Sequence, residues 1–376
     1  MFRAMLLVLC FLSSLSFGDD FVDAKIAAEE NRYRDVVKIL TQTLTDPDLE
    51  VRWQIVAYAN RGIAYSLLDA YALADKDLLQ AISLDPNHLL SLNQLGLLAE
   101  RVKKDDKLAA SFYKRAVDLE YASSMVNLAA LYRDGRGVVK NFPRAFSLLV
   151  KSAKANYPNA YAPLGVMYAR GEGTDVSTKE AFIYYERGAE YGIAEAYYRL
   201  GLAYERGRGT GISFKEALRN YRFAAVQGHG EAQSALGYLF RQGRGTPKDL
   251  DEAAKWYQLA ADQGVASANN RLAWLLAICP TQNLCNGEKA IELALMAIKI
   301  SKEEAILPER KDNFDRTENS MNSMHDSLAA AYARDGQFDL AVATLESLLL
   351  SLESEGGQNL VFKRRLALYQ EGKAYQ

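Results

Sequence analysis

Four Gly-x-Gly pairs that recur in register, three histidines and a close pair of cysteines are the residues whose chemistry this sequence first puts in question. Glycines ahead of a helix can turn backbone N–H groups toward a phosphate. Here Gly135/Gly137, Gly171/Gly173, Gly207/Gly209 and Gly243/Gly245 each follow a helical stretch, not a strand. None runs on into the Gly-Lys-Ser/Thr of a phosphate loop, or into a third glycine at dinucleotide spacing. A feature repeated four times in register reads as a shared structural duty. His88, His229 and His325 stand apart, with no cysteine or second histidine at metal-ligand spacing. His88 follows Asp85-Pro86-Asn87 and His229 lies between glycines, so both read as solvent-facing turn residues. His325, beside Asp326, reads as a capping or surface residue at a helix start. No serine sits in a nucleophile-elbow context. The expectation is therefore no catalytic, cofactor-binding or metal-ligating residue.

The elements that carry these residues are repeats of 36 residues. Leu164-Gly165, Leu200-Gly201 and Leu236-Gly237 share that spacing, with Leu128-Ala129 and Leu272-Ala273 one period outside. Tyr132, Tyr168, Tyr204 and Phe240 follow in register, and so do Ala145, Ala181, Ala217 and Ala253. Leucine and aromatic at i and i+4 share one helix face. The glycines end that helix and permit a tight reversal. A second helix brings Tyr184-Tyr185, Tyr221 and Trp256-Tyr257 to fill the space between hairpins. One such hairpin cannot bury its apolar faces alone, so neighbours must stack on it.

The chain starts with Arg3, an apolar run from Ala4 to Leu12 and small residues at Ser16 and Gly18. That pattern reads as a signal peptide, 1–18, cleaved after Gly18. The apolar run is too short for a membrane-spanning helix, which needs about 20 residues. Cys10 follows Leu9 inside that run, which argues against a lipoprotein. Eight prolines in 376 residues suit an all-helical chain. The formal charge of −2, without a basic run interleaved with aromatics, argues against nucleic acid. Residues 122–267 carry 19 Lys and Arg against 14 Asp and Glu, whereas the rest of the exported chain is acidic.

The pattern AxxxLGxxYxxGxG…KAxxxYxxAAxxG resembles the Sel1-like repeat, a relative of the tetratricopeptide repeat. The segment YRLGLAYERGRGTGISFKEALRNYRFAAVQGHGEA is its best copy. Four copies occupy 122–267. The flanks, 19–121 and 268–376, resemble ordinary tetratricopeptide hairpins, with Gly62, Tyr65, Ala74, Ala81 and Pro86 at signature spacings. The resemblance implies an all-α, right-handed superhelical solenoid of about nine antiparallel hairpins, interrupted by the polar stretch 302–323. That stretch reads as a long helix ending in a loop. Cys279 and Cys285 can form a disulfide or remain buried thiols in an oxidising compartment. In the resembling terminal units Cys285 stands at a more often basic position, which favours the bridge without deciding it.

The resemblance further implies a non-catalytic adaptor or scaffold in the bacterial cell envelope, located in the periplasm, with a protein partner on its concave face. The alternatives are a chaperone-like binder of exported chains and a hydrolase acting on a cell-wall or β-lactam substrate. Carried along the leucine register, the groove positions include Arg101, Arg133, Arg170, Tyr198, Arg206, Tyr238 and Arg241. Arginine and tyrosine are enriched in binding hot spots, and a guanidinium grips a carboxylate in a fork. The groove is thus expected to take a segment carrying acidic groups. The competing reading pairs these arginines with Asp134, Glu205 and similar neighbours at the helix ends. No cofactor is expected, and the oligomeric state is unreadable.

Overall fold

The structure is a computed structural model that describes residues 19–306, 321–354 and 360–375. The expected signal peptide lies outside them. So does 307–320, the middle of the polar stretch. Among the described residues there are nineteen α-helices and no strand. The first nine are α1 (Asp19–Glu29), α2 (Tyr33–Thr43), α3 (Val51–Leu67), α4 (Tyr71–Leu84), α5 (Leu89–Arg101), α6 (Asp106–Asp118), α7 (Ala122–Asp134), α8 (Phe142–Lys154) and α9 (Tyr161–Arg170). Then come α10 (Thr178–Glu190), α11 (Ala194–Arg206), α12 (Phe214–Val226), α13 (Gly230–Gln242), α14 (Leu250–Ala261), α15 (Ala266–Ile278) and α16 (Gly287–Ile306). The last are α17 (Met321–Arg334), α18 (Phe338–Ser354) and α19 (Leu360–Gln370). They form two compact units that divide between Val176 and Ser177.

Each unit is a stack of helical hairpins. In the first, α1 packs on α2, α3 on α4, α5 on α6 and α7 on α8. In the second, α11 packs on α12, α13 on α14, α15 on α16 and α17 on α18. Each second helix also packs on the next hairpin's first helix, as α12 does on α13 and α14 on α15. The polar stretch begins as a continuation of α16, to Ile306, and ends in the first turn of α17.

The repeated residues explain the hairpin. Leu128, Leu164, Leu200 and Leu236 are buried, as are Ala145, Ala181, Ala217 and Ala253. Gly96, Gly201 and Gly237 are bare because Tyr113, Tyr221 and Tyr257 of the paired helix lie against them; a Cβ on Gly237 would stand 2.8 Å from the Tyr257 ring. Those three tyrosines are fully buried. The hydroxyls of Tyr113 and Tyr221 donate to Glu100 (3.0 Å) and Glu205 (2.6 Å), four residues after the glycine. Burial first, then the neighbouring carboxylate, raises both phenol pKa values far above the usual range.

The turn between the helices is built the same way each time. At the end of α11, Gly207 adopts φ +66° and the Arg208 N–H returns to the Ala203 carbonyl. That is the Schellman closure that favours glycine. Gly209, at φ +75°, presses against the Thr178 carbonyl at the start of α10, where a Cβ would collide. Then comes a cap absent from the expectations above. Asp105, Asn141, Ser177, Ser213 and Asp249 recur every 36 residues, and each side chain accepts the backbone N–H three residues on, at 2.8–3.3 Å. Such a cap contributes about 1 kcal/mol to its helix.

Past α15 the turn changes. Cys279 takes the left-handed position at φ +51° that Gly135, Gly171, Gly207 and Gly243 take earlier. Its sulfur lies 2.02 Å from that of Cys285, so a covalent loop stands where the glycine pair stood.

Candidate interaction site

The groove arginines occupy two adjacent register positions, not one. Counting from the Leu-Gly glycine or its alanine equivalent, Arg133 and Arg241 stand four residues on. Arg101, Arg170 and Arg206 stand five on. Neighbouring helix residues point about 100° apart, so the two sets face different surroundings. Arg101 and Arg206 are exposed, whereas Arg133, Arg170 and Arg241 are half-buried.

In the first unit the half-buried arginines have carboxylates from the chain itself. Arg133 donates to both Asp134 oxygens, at 2.8 and 3.3 Å. Arg136, the middle residue of its Gly-x-Gly, bridges Glu100 at 2.8 Å and Asp106 at 3.3 Å. Arg170 has Glu172 at 3.7 Å. Here the helix-end pairing describes what the side chains do.

In the second unit Tyr198 departs from its expected place. It is 7% exposed, with its ring against His229 (4.7 Å between centroids) and Tyr221 (5.9 Å). It is interior, not groove surface. The same contacts correct the reading of His229, whose side chain is 12% exposed. Its Nδ1 accepts the Ala232 N–H that opens α13. Its Nε2 lies 2.8 Å from Glu195 Oε2, leaving Arg199 to donate to Oε1 at 2.6 Å. Burial raises the Glu195 pKa, but the His229 hydrogen bond and the Arg199 charge outweigh it and hold the carboxyl well below its usual range. His88 too is half-buried, its Nδ1 2.8 Å from Ser91 Oγ, and burial lowers its pKa against the pull of Asp85. His325 is half-buried, with Nδ1 2.7 Å from the Met321 carbonyl in the first turn of α17.

Tyr238 and Arg241 lie in a different setting. The Arg271, Arg241 and Arg244 guanidinium carbons stand 5.2, 5.5 and 5.8 Å from the Tyr238 ring centroid. Arg244 also lies over Phe214, at 5.1 Å. Arg271, from α15, donates to Ser234 Oγ at 3.0 Å. The Arg241 Nε is buried and makes no hydrogen bond. Arg244 and Arg271 were absent from the expected set. Arg244 had a signal, since the residue inside Gly-x-Gly is Arg136, Glu172, Arg208 and Arg244 in turn. Arg271 had none, because only stacking of α15 on α13 brings it to that ring.

Among the described residues no group of three or more His, Cys, Asp or Glu side chains could hold a metal ion. No described helix is long and apolar enough to cross a membrane.

Comparison with known proteins agrees with this architecture. A family model for the Sel1 repeat matches residues 90–121, 122–157, 158–192, 194–229 and 230–265. The match begins one hairpin before the four 36-residue copies and takes in α5 and α6. The crystal structure of a Sel1 repeat protein from Oxalobacter formigenes is 30% identical, over 64% of this chain and 96% of its own, with a TM-score of 0.55. The structure of c5321, a protective antigen present in uropathogenic Escherichia coli strains and displaying an SLR fold, is 19% identical. It covers 94% of this chain and 76% of its own, with a TM-score of 0.58, a likeness of fold. No curated protein matches the chain. The chain belongs to the Sel1 repeat family, an all-α solenoid of the tetratricopeptide-like class whose members generally act as protein–protein interaction scaffolds.

Proposed function

We propose that this protein is a non-catalytic scaffold of the bacterial cell envelope that holds an acidic segment of a partner protein on the first helices of its hairpins. The observation that carries the reading is Arg241 beside Tyr238 at the end of α13. Arg101 and Arg206 are exposed residues at the ends of α5 and α11. Arg133 and Arg170 reach a partner only by sharing or releasing their own carboxylates. The segment 1–18 fits a signal peptide removed after Gly18, which puts the chain in the periplasm, where a bridge between Cys279 and Cys285 is stable.

The test is affinity capture from a native-host envelope extract, with the chain from Asp19 as bait. A variant reversing Arg170, Arg206 and Arg241 to Glu runs alongside. One or two stoichiometric partners, lost in the variant while helicity is unchanged, are expected. Undiminished capture by the variant contradicts the arginine face, and a broad, weak set of captured chains points to a chaperone-like binder.

A further inference from the structure

We propose that the end of α13 is a carboxylate-binding site, in which Arg241, Arg244 and Arg271 around Tyr238 take the acidic side chains of a partner segment. The partner rests on the scaffold reading; the chemistry of the site does not. Three cations gathered on one tyrosine ring repel one another, and a π face offsets that only in part. Among the described residues neither Arg241 nor Arg244 has a carboxylate within ion-pair distance, and the Arg241 Nε is a buried donor without an acceptor. A donor in that state normally has a partner.

The chain itself shows which partner fits. Arg133 and Arg136 are the register equivalents of Arg241 and Arg244, and they are closed by Asp134, Asp106 and Glu100. At the end of α13, Gln242 stands where Asp134 stands, and Phe214 stands where Asp106 stands. Glu205, the equivalent of Glu100, accepts the Tyr221 hydroxyl and lies beyond ion-pair reach of Arg244. The backbone that builds a carboxylate-filled site at one hairpin thus builds the same arginines at another with two of the acids replaced and the third held by Tyr221. Two guanidinium forks there match carboxylates arriving from outside.

The test measures fluorescence anisotropy of a fluorescein-labelled, C-terminally amidated hexaglutamate with the exported chain at low ionic strength. Saturable binding is expected. Arg241→Gln and Gln242→Asp should each weaken it roughly tenfold, the loss of one charge-assisted contact. The second variant supplies an internal acid at an exposed position, so it retains the fold. Arg222→Gln, on the exposed side of α12, removes the same charge elsewhere and should change affinity less than about twofold. Unsaturable binding by the native chain, or equal affinity in Arg241→Gln, Gln242→Asp and the native chain, overturns the proposal. Displacement by inorganic phosphate matching that by unlabelled hexaglutamate reassigns the site to phosphate. Peptide binding without any captured protein contradicts the scaffold reading alone, and partner capture without peptide binding contradicts this site alone.

Discussion

The ends of α7 and α13 share a backbone and a register, yet they treat the same cations in opposite ways. Both close on a left-handed glycine, Gly135 and Gly243, and both press a second glycine onto the start of an earlier helix. Both carry arginine four and seven residues after the register small residue. At α7 three carboxylates surround Arg133 and Arg136. At α13 Phe214 and Gln242 stand where Asp106 and Asp134 stand, and Glu205, the equivalent of Glu100, accepts the Tyr221 hydroxyl instead. A repeat holds its backbone by the residues every copy keeps, and it varies function through those that no hydrogen bond of the turn requires. Two exchanges, Asp134 for Gln242 and Asp106 for Phe214, separate a closed surface from an open one.

The shared turn carries the largest expected effect. Gly245→Ala puts a Cβ against the Phe214 carbonyl at φ +73° and should cost roughly 3 kcal/mol in urea unfolding. A change below about 1 kcal/mol would show that the loop does not bear on α12. Next comes the variant turn past α15. Opening the Cys279–Cys285 loop by reduction, or by Cys285→Ser, should lower stability by about 2 kcal/mol. Equal midpoints with and without reductant would show that the thiols are free.

Smaller effects sharpen the electrostatic contrast. Asp134→Gln should destabilise by about 1 kcal/mol, because it strips Arg133 of its fork partner, while Gln242→Asp should be neutral or stabilising by a few tenths. Opposite signs, read from paired unfolding curves, support the contrast; equal signs contradict it. Smallest is an acid effect in the second unit. The Glu195 pKa is lowered on folding, so its contribution is full above the unfolded value of roughly 4.3 and is lost as pH falls toward about 2. Glu195→Gln should flatten the acid limb of stability over that range, and an unchanged limb would show that His229 and Arg199 do not hold the carboxylate.

What the sequence revealed depended on whether a residue repeats. Leucines and glycines recur in register, and they lie in the core and turns as that recurrence requires; of the recurring aromatics, Tyr132 and Phe240 are buried and Tyr168 and Tyr204 half-buried. The caps at Asp105, Asn141, Ser177, Ser213 and Asp249 recur as faithfully, and were legible once different polar residues are seen as one acceptor. Single-copy features were not legible. His229 looks like a turn residue until stacking brings Glu195 to it from 34 positions away. Tyr198 falls on the groove by register but is buried by Tyr221 and that histidine. The arginines looked like one row because adjacent register positions are indistinguishable in a string of letters, whereas on a helix they diverge by a quarter turn.

The most direct measurement of the central claim is an NMR titration of the arginine Nε–H signals with the amidated hexaglutamate, assigned by single Arg→Lys variants. Signals of Arg241, Arg244 and Arg271 should shift together and saturate at one peptide concentration, with that of Arg133, whose Nε donates to Asp134, unmoved. Equal shifts at both helix ends, or shifts confined to the α7 end, would contradict the account.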